Sequence, residues 1–88
     1  MVVPEPFEST LQVGQRGSME LFALSAAGSS VIIRHDGRIE SQQQVDASRW
    51  TASTDYAFDT AGTHTVVAEF HRPDGTRDVR RLTVMVHR

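Results

Sequence analysis

The chain has 88 residues, of which 39% are hydrophobic and 23% charged, with a formal net charge of -2 at pH 7. This length supports one domain with one modest core, so we expect a single domain over residues 1–88 without a large interior cavity. A slightly acidic chain has no basic field for nucleic acid or an anionic membrane, so we predict neither nucleic-acid binding nor membrane insertion.

Two residue types with distinctive chemistry are absent. The chain has no cysteine, which excludes disulfides, thiolate nucleophiles and thiolate metal ligands. It also has no lysine, so the P-loop lysine and the Schiff-base lysine are excluded. We also expect no cofactor, because the chain is too short for a large pocket and has no ligand cluster.

The first residues, 1–6, contain two prolines and predict an extended lead-in to the domain. They lack the positive and apolar regions of a signal peptide, and no later apolar run approaches the ~20 residues of a membrane helix. The residues alone therefore indicate no localisation.

The rest of the chain predicts strands and no helix. Short segments rich in Val, Ser and Thr alternate with turn signals, a pattern typical of an all-β sandwich or barrel. Asp36-Gly37 predicts one hairpin turn, and Pro73-Asp74-Gly75 predicts a second. The seven predicted strands cover residues 7–13, 18–26, 30–35, 38–45, 49–58, 63–71 and 77–86.

Alternation fixes the inward face of some strands but not of all. In each of the last two strands, one face is apolar apart from His64 at its start. The apolar residues of these faces are Val66, Ala68, Phe70, Leu82, Val84 and Val86. The second strand is apolar on both faces, with Met19, Leu21 and Ala23 on one and Phe22 and Leu24 on the other. We expect Phe22 and Leu24 to point inward because they are bulkier. The fourth segment is almost entirely polar and is predicted to be an edge strand or a loop.

Three segments resemble an immunoglobulin-like β-sandwich. Residues 17–28 resemble its second strand, residues 31–38 resemble the next strand with its Asp-Gly turn, and residues 56–66 resemble the corner before the sixth strand. The tail through Pro73-Asp74-Gly75 also resembles bacterial Ig-like and polycystic-kidney-disease type repeats. The resemblance covers about residues 14–86.

The resemblance implies an immunoglobulin-like antiparallel β-sandwich of about seven strands without the usual disulfide. Leu24 and Val66 take the positions of the two cysteines, and Ile33 lies near the usual tryptophan. We therefore expect these three residues to meet between the sheets. His64 replaces the corner tyrosine and is expected to form its structural hydrogen bond.

The resemblance also implies a function. It indicates a non-catalytic module for adhesion, spacing or assembly, carried on a bacterial surface protein, a secreted protein or a virion. The expected partner is another protein or a neighbouring domain.

Candidate catalytic and metal chemistry is weak. A zinc site needs three or four convergent ligands, whereas the four histidines are spread over different turns and strand ends, so no metal site is predicted. The chain has no Gly-x-Ser-x-Gly nucleophile motif and little room for a water-excluding pocket. We predict that it is not an enzyme.

Trp50 and Tyr56 are the candidate ligand contacts. They have the same parity on the fifth strand, so they can form a stacking platform for a sugar ring, and a carbohydrate-binding module on the same fold is the alternative function. The competing interpretation is that both fill the core or its rim.

In the last hairpin, arginines alternate with carboxylates, which predicts a solvated ladder of cross-strand charge pairs: Glu69, Arg72, Asp74, Arg77, Asp78, Arg80 and Arg81.

Overall fold

The structure, a computed structural model, describes residues 8–24 and 26–88 and confirms the predicted all-β sandwich of seven strands. The extended lead-in predicted for residues 1–6 lies outside the described residues. No helix in the described part of the chain is long and apolar enough to span a membrane. The strands are β1 Glu8–Gln12, β2 Gly17–Leu24, β3 Ser29–His35, β4 Arg38–Val45, β5 Arg49–Tyr56, β6 Gly62–His71 and β7 Arg77–His87.

The strands form two sheets of unequal size. One sheet has five strands in the order β1-β7-β6-β3-β4, and the other, which we call the ribbon, has only β2 and β5. All neighbours pair antiparallel except β1 and β7, which are parallel. β4 is an edge strand, as predicted, and it is exposed from Arg38 to Gln44. Its charged and amide side chains make it a poor template for a foreign strand.

Both predicted hairpin turns are present. Asp36 and Gly37 between β3 and β4 have φ values of 50° and 86°, the left-handed pair that a two-residue hairpin needs. Between β6 and β7, the Arg72 N–H donates to the Thr76 carbonyl over 2.9 Å, and Gly75 takes a φ of 90°. Proline presets this turn and glycine completes it, so the local sequence fixes how β6 and β7 pair.

The core lies between the ribbon and the five-stranded sheet. Val31, Val66, Phe70 and Val84 are at most 2% exposed, and Ile33 is 4% exposed. The inward faces predicted for β6 and β7 are therefore confirmed. Fully burying an aliphatic or Phe side chain of this kind stabilises a fold by roughly 1.5–3 kcal/mol.

The predicted register of β2 is wrong. Met19, Leu21 and Ala23 point into the core, while Phe22 is 43% and Leu24 is 67% exposed. Cross-strand partners share a face, and Leu21 lies opposite Ala52 while Ala23 lies opposite Trp50. β5 contributes the two large rings, Trp50 and Tyr56, and β2 places its smallest residues, Ala23 and Gly17, opposite them.

The expected meeting of Leu24 with Val66 is wrong for the same reason. Val66 is buried on the inner face of β6, whereas Leu24 points away from the sandwich.

Gly17, the first residue of β2, lies against the ring of Tyr56. A Cβ added at this position would lie 2.5 Å from Cε2 of Tyr56, so only glycine leaves room for the ring. The ring of Tyr56 therefore closes this end of the ribbon.

Candidate functional site

The outer face of the ribbon is an open groove of about 720 Å³. We call it the ribbon face, and its floor is formed by Phe22 and Leu24 of β2 beside Thr51 of β5. Glu20 lies toward one end of the face, and Arg49, opposite Leu24, lies at the other. The groove is thus apolar in the middle, with opposite charges toward its two ends.

The ribbon differs from a complete sandwich layer because it has so few strands. In the described part of the chain, neither β2 nor β5 pairs with a further strand, so each has one open edge. β4 protects its own edge with charge, but β2 exposes two large apolar side chains and only one charged residue, Glu20. Apolar side chains grouped on an exposed sheet face are a feature of interaction surfaces.

Trp50 and Tyr56, the residues predicted to contact a ligand, both point toward the core. Trp50 is half-buried and packs on Phe70, with ring centroids 6.3 Å apart. Tyr56 is only 4% exposed. Six residues of extended strand separate them by about 20 Å, so they do not form one shared stacking surface. The carbohydrate-binding alternative stays a prediction, and it would depend on Trp50 alone.

His64 is the hydrogen-bonding residue at the corner, as predicted. Its ring stacks on Phe58 with centroids 4.2 Å apart and is 13% exposed. Nδ1 lies 2.6 Å from Oδ2 of Asp36, and Nε2 lies 2.8 Å from the carbonyl oxygen of Thr60. The other oxygen of Asp36 accepts from the Thr65 N–H over 2.9 Å. His64 therefore joins the β3–β4 turn to the segment that precedes β6.

Both nitrogens of His64 face acceptors, an arrangement that the doubly protonated ring satisfies best. The hydrogen bond to Asp36 accordingly raises the pKa of His64 above its ordinary value of 6.5, although burial opposes this. Burial pushes the pKa of Asp36 upward, but the hydrogen bonds from His64 and Thr65 outweigh it and hold this pKa below 3.8. The corner is thus an ion pair at mildly acidic pH.

We expect the His64–Asp36 pair to make folding stability depend on pH. The contribution from His64 is full below pH 6.5 and is lost as the pH rises through the higher folded pKa. The contribution from Asp36 is full above pH 3.8 and is lost as the pH falls through the lower folded pKa. Because Asp36 is 44% exposed, water screens the ion pair. We therefore expect the pair to contribute less than about 1 kcal/mol to the free energy of unfolding.

The measurement is the free energy of unfolding by urea between pH 5 and pH 9. His64→Gln should flatten the decrease above pH 6.5, whereas His87→Gln, at an exposed position, should leave it unchanged. Equal slopes in the wild type and His64→Gln would contradict this account of the corner.

A second groove lies on the outer face of the five-stranded sheet. It measures about 480 Å³, and we call it the arginine groove. Arg34, Arg77 and Arg81 stand around a floor of Val67 and Val79. Its remaining lining residues are Gly37, Thr65 and Glu69.

The charge ladder predicted for the last hairpin forms only in part. Arg72 pairs with Asp78, whereas Asp74 accepts hydrogen bonds from the backbone and hydroxyl of Thr76 within its own turn. Glu69 accepts from Nε of Arg34 over 2.5 Å and lies 3.1 Å from Nε2 of His71. The Arg34 bond lowers the pKa of Glu69, against a smaller opposing effect of burial.

Arg77 and Arg81 therefore have no carboxylate partner within residues 8–24 and 26–88. Sequence reasoning found these arginines but not the groove, because Arg34 joins them only through the register of three strands. The sequence also indicated His64 but not its partner Asp36, which is 28 residues away in the chain.

Within residues 8–24 and 26–88, no three His, Asp or Glu residues are placed to hold a metal ion.

No protein-family model matches this chain, and neither a curated protein nor a solved structure matches it significantly.

Proposed function

We propose that the chain is a non-catalytic, immunoglobulin-like assembly module that associates with a second copy of itself through the ribbon face. The observation that carries this proposal is the exposure of Phe22 and Leu24, at 43% and 67%, in one open apolar groove. The sequence resemblance supports the same class of function, a module of a bacterial surface protein, a secreted protein or a virion.

The charges on the ribbon face favour a second copy as the partner. Glu20 and Arg49 form no ion pair with any described residue, and they lie on either side of Phe22 along the strand direction. A two-fold axis at Phe22, with the two ribbons antiparallel, brings Glu20 of each copy near Arg49 of the other. Such a self-complementary patch is what a two-fold dimer requires.

The size of the face predicts a weak dimer. Eight residues per strand make the ribbon about 26 Å long, and it is only two strands wide. The area of this face is therefore smaller than the roughly 800 Å² that each partner buries in a standard interface. We expect a dissociation constant of about 0.1–1 mM, which is −4 to −5.5 kcal/mol. A contact of this strength serves modules displayed in many copies, where the local concentration is high.

Sedimentation equilibrium up to about 1 mM tests this proposal. The apparent mass of the wild type should rise above 9.8 kDa with concentration, and Phe22→Ser/Leu24→Ser should stay monomeric. Ile39→Ser/Met85→Ser is the matched control, because these residues are 52% and 39% exposed but lie on the other sheet. A wild type that is monomeric at 1 mM, or a control that loses association equally, would overturn the proposal.

A further inference from the structure

The arginine groove carries an inference that does not depend on the ribbon face. Three guanidinium groups and the carboxylate of Glu69 give it a net charge of +2, although the whole chain has a net charge of -2. Cationic charge is thus concentrated on one face of an otherwise acidic molecule. A concave patch of one sign attracts ligands of the opposite sign and orients their approach.

The positions of the arginines set the spacing of the anionic groups that they fit. Arg77 and Arg81 are four residues apart on β7, so their Cα atoms are about 13 Å apart. Arg34 and Arg81 lie in one row on either side of Val67, about 10 Å apart. An extended peptide with two carboxylates four residues apart has the same spacing as Arg77 and Arg81.

Glu69 demonstrates how the groove holds a carboxylate, because its own carboxylate is bound by Arg34 and His71. Of the three arginines that line the groove, this leaves Arg77 and Arg81 without a carboxylate partner among the described residues. A guanidinium group binds a carboxylate through two parallel hydrogen bonds, which gives geometric selectivity as well as charge.

The floor of the groove distinguishes a peptide from other polyanions. Val67 and Val79 offer branched aliphatic side chains, and Val79 is 40% exposed. Among the described residues, no aromatic ring lines the groove, so they offer neither a sugar ring nor a nucleobase a stacking partner there. In an extended peptide bound to Arg77 and Arg81, an apolar side chain midway between the two carboxylates would cover Val67 and Val79.

We propose that the arginine groove binds an extended acidic peptide segment, with two carboxylates four residues apart held by Arg77 and Arg81 and an apolar side chain between them on Val67 and Val79. The partner is thus a protein with an acidic, extended surface segment, and binding weakens as salt screens the charges.

The test uses the full chain labelled with ¹⁵N and a seven-residue peptide with carboxylates at its second and sixth positions and valine at the fourth. At low ionic strength we expect saturable shifts of the amide signals of β6 and β7. Arg77→Gln/Arg81→Gln should weaken binding by about tenfold or more, since it removes both carboxylate partners. Arg38→Gln/Arg88→Gln changes the net charge equally at exposed positions elsewhere and should leave affinity within about twofold.

Five results would overturn the proposal. Four of them are no shift at 5 mM peptide, equal binding of a peptide with amides in place of the carboxylates, equal weakening by the control variant, and tighter binding of a sulfated oligosaccharide or an oligonucleotide. Shifts confined to β2 and β5 would likewise contradict it, and they would point to the ribbon face. None of these results affects the dimer, which is measured separately.

Discussion

Val66→Asp is expected to abolish folding. Val66 is fully buried on the inner face of β6, where it lies opposite Leu82 of β7 and belongs to the core cluster. An aspartate there places a carboxylate among apolar side chains, which costs several kcal/mol whether it remains charged or takes up a proton. This cost is comparable with the roughly 5–15 kcal/mol that stabilises a typical domain.

The next residue along β6 supplies the control. Val67 points to the opposite face, in the same row as Arg34 and Arg81, so Val67→Asp gains two cationic neighbours. We expect this variant to remain folded, with a cooperative urea transition within about 1 kcal/mol of the wild type. A folded Val66→Asp variant with a normal near-ultraviolet circular dichroism spectrum would contradict the inward face assigned to β6.

The second large effect distinguishes the two possible registers of β2. Leu21→Ala is expected to cost about 2–5 kcal/mol, because Leu21 is 2% exposed and its removal leaves a cavity beneath the ribbon. Leu24→Ala is expected to change stability by less than about 0.5 kcal/mol, because Leu24 is 67% exposed.

Urea denaturation of both variants measures this difference in one experiment. Both replacements remove the same atoms from the same strand, so strand propensity changes little between them and burial decides the outcome. A larger loss of stability for Leu24→Ala would mean that β2 is shifted by one residue.

Much of the fold is predictable from local sequence. β6 and β7 alternate strictly, so the positions of Val66, Phe70 and Val84 follow from the period of a strand. The Asp36-Gly37 and Pro73-Asp74-Gly75 turns follow from the backbone conformations that these residues favour. The edge position of β4 follows from its polar composition.

The register of β2 is not predictable in this way, because the strand is apolar on both faces and side-chain bulk is a poor guide. What decides it is the partner strand: β5 places Trp50 opposite Ala23 and Tyr56 opposite Gly17. These two large rings need small residues opposite them, and the paired residues lie 27 and 39 positions apart in the chain.

The candidate surfaces are harder to predict than the fold for the same reason. The ribbon face exists because Phe22 and Leu24 point outward, and the arginine groove exists because the registers of β3, β6 and β7 align Arg34 with Arg81. Each surface is a product of cross-strand pairing, which no single segment specifies. Trp50 and Tyr56 are aromatic residues of one parity on β5, but that parity is the one that faces the core.

A charge-exchange experiment tests the assembly proposal most directly. Glu20→Arg and Arg49→Glu each bring like charges together in a two-fold dimer of the ribbon face, so each variant alone should be monomeric by sedimentation at about 1 mM. In an equimolar mixture, both contacts between the two variants are again between opposite charges, so association should return to nearly the wild-type level. A mixture that stays monomeric, while the wild type dimerises under the same conditions, would contradict the proposed pairing of the two ribbons.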